Sequence, residues 1–210
     1  SAVVLGSVAY LLYELAFEEM TATTLIVGIG LGWFSSAYAA KINRWFGVLW
    51  ASGLALLVSL YLGVQHKDGA DQSFCTVDEL FDCDKVNSSV YSELFDIPIA
   101  FLGSSFYGGV VALAVLTLLG RKAYPLAAHL VAAGSAASVL YSAFLAYASY
   151  DMGVFCLLCI SLYGFNLLLL VVTLGLAKGS EMGVIKGAFA GGPSTNAFAG
   201  TAVVMLIGTM

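Results

Sequence analysis

Cys156-Leu157-Leu158-Cys159-Ile160-Ser161-Leu162-Tyr163 opens an apolar run that continues to about residue 176. Two cysteines three residues apart at the head of such a run place a dithiol at the start of a long hydrophobic helix. Positions three and four apart share a helix face, so Cys156, Cys159, Tyr163 and Asn166 form one stripe. That stripe is polar and redox-capable within a segment that otherwise reads as lipid-soluble. The only other cysteines, Cys75 and Cys83, lie upstream in the longest polar stretch of the chain.

Composition sets the class. Sixty per cent hydrophobic residues, ten per cent charged residues and a mean hydropathy of +0.95 are values for a polytopic membrane protein. The apolar runs are continuous rather than alternating, which selects helices over a β-barrel. A hydrocarbon core of about 30 Å takes roughly 20 apolar residues per helix. Spans are expected over residues 2–17, 21–40, 45–64, 99–119, 125–149 and 156–176. A linker from Lys178 to Lys186 leads to a last span over 194–210. Trp45 and Trp50 give the third span an aromatic edge. Ser1 is not an initiator Met and Met210 falls inside an apolar run, so the chain reads as an excised piece of a longer protein. The expected architecture is an all-α integral membrane protein in three parts. Residues 1–44 carry two N-terminal spans, residues 45–176 a four-helix core with an outer loop at 65–97, and residues 177–210 the linker and final helix.

Charge orients it. Lys41, Arg44, Arg121, Lys122, Lys178 and Lys186 fall on one side, which marks the cytoplasm. Asp68, Asp71, Asp78, Glu79, Asp82, Asp84, Glu93 and Asp96 crowd the 65–97 loop on the other, against Lys67 and Lys85. Asp151, just before Cys156, lies on that acidic side. All four cysteines are thus expected at the non-cytoplasmic face, where disulfides persist. The formal net charge of −5 argues against nucleic acid as a partner. There is no Gly-rich phosphate loop, so no nucleotide or flavin is implied.

Within the first helical turn, unpaired amides and the positive end of the dipole favour a thiolate at Cys156, and thiolate is the species that attacks disulfides. Cys159 lies one turn deeper, within reach of an oxidant dissolved in the membrane. Several plainer readings stand beside this one. Cysteine in a membrane helix serves as a small hydrophobe, and Cys75–Cys83 serves as a static bond pinning an outer loop. Four cysteines also suit zinc, although eight residues with Asp82-Cys83-Asp84 match a zinc knuckle poorly, so no metal is expected. Ser88 and Ser89 either cap a short amphipathic helix or hold a hydroxyl over an apolar pocket, and the capping-box spacing to Glu93 is one residue too long. Tyr163 either packs or serves the cysteine stripe. Asn166, an amide deep in a span, needs a partner on a neighbouring helix or on a ligand.

Taken together, Cys75, Cys83-Asp-Lys-Val86-Asn-Ser-Ser89, Ile97-Pro98, Gly103 and Cys156-Leu-Leu-Cys159-Ile-Ser-Leu-Tyr163 resemble the vitamin K epoxide reductase family, its bacterial branch above all. The likeness covers about residues 45–176. DsbB-type proteins, which do analogous work, place the CxxC before the loop pair rather than after it. The resemblance implies a thiol:quinone oxidoreductase of the bacterial cell membrane, with its cysteine loop outside. A thioredoxin-like (DsbA-like) protein or fused domain would pass electrons to Cys75–Cys83. Cys83 would then exchange with Cys156, and Cys159 would reduce a quinone, ubiquinone or menaquinone. Ser89 and Tyr163 would hydrogen-bond the quinone carbonyls. Ile99 replaces an asparagine that helps hold the ligand in animal relatives, and Asp96-Ile-Pro stands where a glycine is common.

Overall fold

The computed structural model describes residues 22–68, 75–76, 79–120 and 125–178. The spans expected over 2–17 and 194–210, the linker after 178 and the Arg121-Lys122 turn lie outside them. Five helices among the described residues are long and apolar enough to cross a membrane. They are α1 (Ala22–Ile42), α2 (Arg44–Asp68), α4 (Ile99–Gly120), α5 (Pro125–Met152) and α6 (Leu157–Lys178). A short helix α3 (Cys83–Asn87), a 3₁₀ turn (Val90–Ser92) and a small hairpin, β1 (Glu93–Leu94) with β2 (Ile97–Pro98), form the loop between α2 and α4.

Local chemistry sets the boundaries. Asn43 separates α1 from α2, and its Oδ1 accepts from the backbone amides of Trp45 at 2.9 Å and Phe46 at 3.3 Å, an N-cap for α2. Pro98 precedes α4 and Pro125 opens α5, positions that cost a helix no backbone donor. Residues 150–152 belong to α5 rather than to a turn, and the reversal is made over 153–156, beginning at Gly153, whose φ of +68° suits a residue without Cβ. The hairpin pairs Glu93 with Pro98 and Leu94 with Ile97. Phe95 and Asp96 both have positive φ, the sign pattern of a type I′ turn. Asp96 tolerates that conformation where a glycine was expected.

The central helix is α2, which packs against α4, α1 and α6, while α5 lies along α6. Small residues let these backbones approach, as Val48, Ala51 and Ala55 of α2 meet Val110 and Ala114 of α4 and Leu169 of α6. Five hydroxyls buried in this apolar bundle donate to their own helix. Ser36, Ser52, Thr117, Ser161 and Thr173 each bond a carbonyl three or four residues back at 2.6–2.8 Å. Trp45 is buried in the core rather than at a lipid edge, and Trp50 donates its indole N–H to Ser35 at 3.1 Å. The buried position follows from the tight α1–α2 turn, which folds the start of α2 inward.

Two contacts fix α6 against the N-terminal helices. The Trp33 indole on α1 donates to the Ser161 carbonyl at 3.1 Å, and its ring lies where a side chain on Gly164 would be. At the other end of the bundle the Arg44 guanidinium bonds the Gly175 carbonyl. Lys41 and Arg44 thus mark the end of the bundle opposite the cysteine loop.

Candidate active site

The loop is tied down piece by piece. His66, near the end of α2, contacts the Asn87 carbonyl through Nδ1 at 2.7 Å and the Glu93 carboxylate through Nε2 at 3.1 Å. Asn87 donates back to the Leu62 carbonyl at 2.9 Å. Asp82 caps α3 by accepting from the Lys85 amide at 2.9 Å. Thr76 donates to Asp84 at 3.0 Å, which holds the chain around Cys75 beside the start of α3. Cys75 and Cys83 are bonded as a disulfide, with Cα atoms 5.7 Å apart, and both are fully buried.

The main chain carries this disulfide to the CxxC. Phe81 and Phe155 form a parallel bridge in which the Phe155 amide donates to the Leu80 carbonyl at 2.8 Å and the Asp82 amide to the Phe155 carbonyl at 3.1 Å. Each of the two bridged residues is next to, or two before, a cysteine. The sulfurs of Cys75, Cys83 and Cys156 consequently lie within 4.8 Å of one another. Three clustered sulfurs could ligate a metal, but two of them are bonded to each other. The group is therefore a disulfide with a third sulfur beside it, the geometry from which exchange starts.

Cys156 stands one residue earlier on its helix than the sequence suggested. It immediately precedes α6, its carbonyl accepts from the Ile160 amide at 3.0 Å, and its Sγ accepts from the Cys159 amide at 3.1 Å. The sulfur thus takes the place of an N-capping side chain, because the chain enters α6 extended from the Phe155 bridge. Cys156 and Cys159 are free thiols. The two face different surroundings. Cys156 packs with the loop disulfide and Val154, whereas Cys159 lines a cavity of about 430 Å³ enclosed by α2, the loop, α4, α5 and α6.

That volume falls in the range of small-molecule sites, roughly 300–1,000 Å³. Leu62, Leu102, Phe106, Leu145 and Leu162 supply apolar wall, and Ile99 adds another apolar side chain. Ser89 and Tyr163 line the cavity with Cys159. Ser89 is the residue before the 3₁₀ turn, but its hydroxyl caps nothing and turns back to the Val86 carbonyl at 2.8 Å. Ser88 lies outside the lining, and its hydroxyl reaches the Lys85 carbonyl at 3.5 Å. Asn166 lies deeper and bonds two neighbouring helices, accepting from the Tyr107 hydroxyl at 2.7 Å and donating to Ser142 Oγ at 3.0 Å.

Of the residues singled out in the sequence, Cys159, Ser89, Tyr163 and Asn166 share one cavity, and Cys156 meets Cys75 and Cys83 just outside it. Tyr107 and Ser142 were missed. A tyrosine in the middle of the apolar run 99–120 is a signal that could have marked the first, since a polar group in a span needs a partner. No signal in the sequence marks Ser142 among the other serines of α5. The Phe81–Phe155 bridge is likewise invisible without the fold.

A family model described as the vitamin K epoxide reductase family matches residues 46–174, more than half of the chain. No curated protein matches the chain.

Proposed function

The chain belongs to the vitamin K epoxide reductase family, and from that membership we propose that it is a thiol:quinone oxidoreductase that re-oxidises a thioredoxin-like partner. The observation that carries this reading is the split placement of the CxxC pair. One sulfur lies beside a disulfide in a polar loop and the other opens on an apolar cavity.

The steps balance as two-electron exchanges. A partner dithiol reduces Cys75–Cys83, leaves as a disulfide and yields two loop thiols. The Cys83 thiolate attacks a Cys156–Cys159 disulfide at Cys156, releasing Cys159 as a thiolate, and Cys75 resolves the mixed disulfide by attacking Cys83 and releasing Cys156. The result is a loop disulfide with two thiols in the membrane helix, the oxidation state of the present structure. Cys156 and Cys159 then close into a disulfide while two electrons and two protons leave for a quinone in the cavity. Tyr163 orients a quinone carbonyl, Ser89 lines the same cavity with its hydroxyl on the Val86 carbonyl, and Asn166 lies deeper. The apolar wall keeps water from the reacting sulfur. Lys41 and Arg44 at the opposite end of the bundle support a cytoplasmic end there and an extracytoplasmic cysteine loop, in the cell membrane of a bacterium.

The test follows quinone absorbance with purified protein, a reduced thioredoxin-like protein and a short-chain ubiquinone or menaquinone. Cys159→Ala and Cys83→Ala should both abolish turnover. Wild-type rates in either variant would break the path at that residue. Loop cysteines that stay oxidised in excess partner would make Cys75–Cys83 a structural bond instead.

A further inference from the structure

Resting on the quinone reading above, we propose that Ser142 is a second carbonyl ligand, held in place by Asn166 and Tyr107, so that the quinone is gripped at both ends of its ring.

The argument begins with where hydroxyl protons go. Of the other buried hydroxyls, those of Ser52, Thr117, Ser161 and Thr173 donate to carbonyls of their own helix, Ser59 donates to the Ala100 carbonyl of α4, and Ser135 has no partner among the described residues. Ser142 is buried too, yet its oxygen instead accepts the Asn166 side-chain amide from α6. Among the described residues its own proton is donated to no protein group, and Ser142 lines the cavity. An uncommitted donor in an apolar cavity costs free energy unless a ligand accepts from it.

Asn166 explains why Ser142 stays in this state. Its Oδ1 is occupied by the Tyr107 hydroxyl at 2.7 Å, which turns Nδ2 towards Ser142. With an amide proton on one side of its oxygen, the Ser142 hydroxyl points its hydrogen elsewhere. Tyr107, on α4, and Asn166, on α6, are therefore positioning residues for a donor on α5.

Depth gives the second half. At 1.5 Å per residue, Asn166 lies about 4.5 Å deeper along α6 than Tyr163 and about 10 Å deeper than Cys159. Tyr163 also donates its hydroxyl to no protein group among the described residues. Tyr163 and the Asn166 that holds Ser142 thus stand at successive levels of α6, both in the cavity lining. The carbonyls of a 1,4-quinone point in opposite directions across one ring. A ring with one carbonyl at Tyr163, on the Cys159 side, presents the other to Ser142. Ile99 also lines the cavity and carries no polar side-chain atom, so it offers no anchor.

The probe is a short-chain 1,4-quinone labelled with ¹³C at one carbonyl or the other, read by infrared difference spectroscopy on the full chain in detergent. Hydrogen bonding lowers a carbonyl stretch, so each label reports one anchor. Ser142→Ala should raise the stretch of one carbonyl only and weaken quinone binding about 5- to 10-fold, the worth of one hydrogen bond. Tyr163→Phe should raise the other. Ser142→Thr, which keeps the hydroxyl, should restore the lowered band. Exchange between Cys83 and Cys156 should proceed normally in Ser142→Ala. A Ser142→Ala spectrum with neither band moved, or with the same band moved as in Tyr163→Phe, overturns the proposal. So does Tyr141→Phe moving the second band in place of Ser142→Ala. Unaltered protein that binds no quinone overturns the oxidoreductase reading and this one with it, an outcome visible before any variant is made.

Discussion

Gly164→Ala tests whether the helix that carries the CxxC depends on α1 for its position. A Cβ on Gly164 would lie 2.2, 2.3 and 2.6 Å from three ring atoms of Trp33, far inside contact distance. The ring cannot simply swing away, because its N–H is bonded to the Ser161 carbonyl at 3.1 Å. Restoring ordinary contact moves α1 off α6 by more than 1 Å and lengthens that bond past use. Overpacking of this kind costs about 1–3 kcal/mol. The lost hydrogen bond adds about 0.5–1.5 kcal/mol. Alanine in place of helical glycine returns about 1 kcal/mol. The net loss centres on about 2 kcal/mol, near 30-fold in the folded-to-unfolded ratio. Gly30→Ala on α1 is the control, since its Cβ meets nothing within 4 Å and should leave stability unchanged or raised. Both variants can be titrated with sodium dodecyl sulfate, with a thiol-reactive dye reporting when the buried Cys156 becomes accessible. Gly164→Ala should lower the midpoint, and Gly30→Ala should not. If Gly164→Ala proves as stable as Gly30→Ala, the Trp33 brace has no energetic role.

Further outcomes follow from the loop and the cavity floor. In the double variant Cys75→Ser with Cys159→Ser, Cys83 and Cys156 should form a disulfide, seen as a cross-linked peptide by mass spectrometry; separate free thiols under mild oxidation would refute the close approach. Adding Phe155→Pro removes the amide bonded to Leu80 and should slow that cross-link about 2- to 10-fold, in line with a lost backbone hydrogen bond of about 0.5–1.5 kcal/mol. His66→Ala deletes the contacts to Asn87 and Glu93, so amide exchange across residues 87–94 should quicken, with the membrane helices unaffected. Tyr107→Phe strands the Asn166 oxygen in a buried site and should cost about 1–3 kcal/mol in the same detergent titration, whereas a midpoint equal to wild type would show the amide satisfied by another route.

The helices were legible because a span announces itself by length and hydropathy. Observed ends at 42, 44, 120 and 125 fall close to where Lys41, Arg44, Arg121 and Pro125 place them. The misreadings are local. Residues 150–152 looked like a turn because Tyr150 and Asp151 are polar, yet the helix runs through them and the reversal is made over 153–156. Cys156 looked like a first-turn residue because sequence periodicity does not separate a cap from the turn it precedes. Trp45 looked interfacial because tryptophan often is, but a one-residue link to α1 pulls it inward. The cysteine pairs could be seen from their order along the chain and the charge around them. The Tyr107–Asn166–Ser142 chain could not, since it joins three helices and a single sequence carries no record of which faces meet.

The bridge at Phe81 and Phe155 makes the approach of loop to membrane helix a property of the backbone, with both of its hydrogen bonds running between main-chain atoms. The two hydrogen bonds of the grip therefore depend on no side chain, proline at a donor position excepted. Glu79, exposed on this loop, can change in charge and shape while Cys83 keeps its place. An outward surface that can be rewritten over an inward register that stays put allows such a protein to change the company it keeps while preserving its internal wiring.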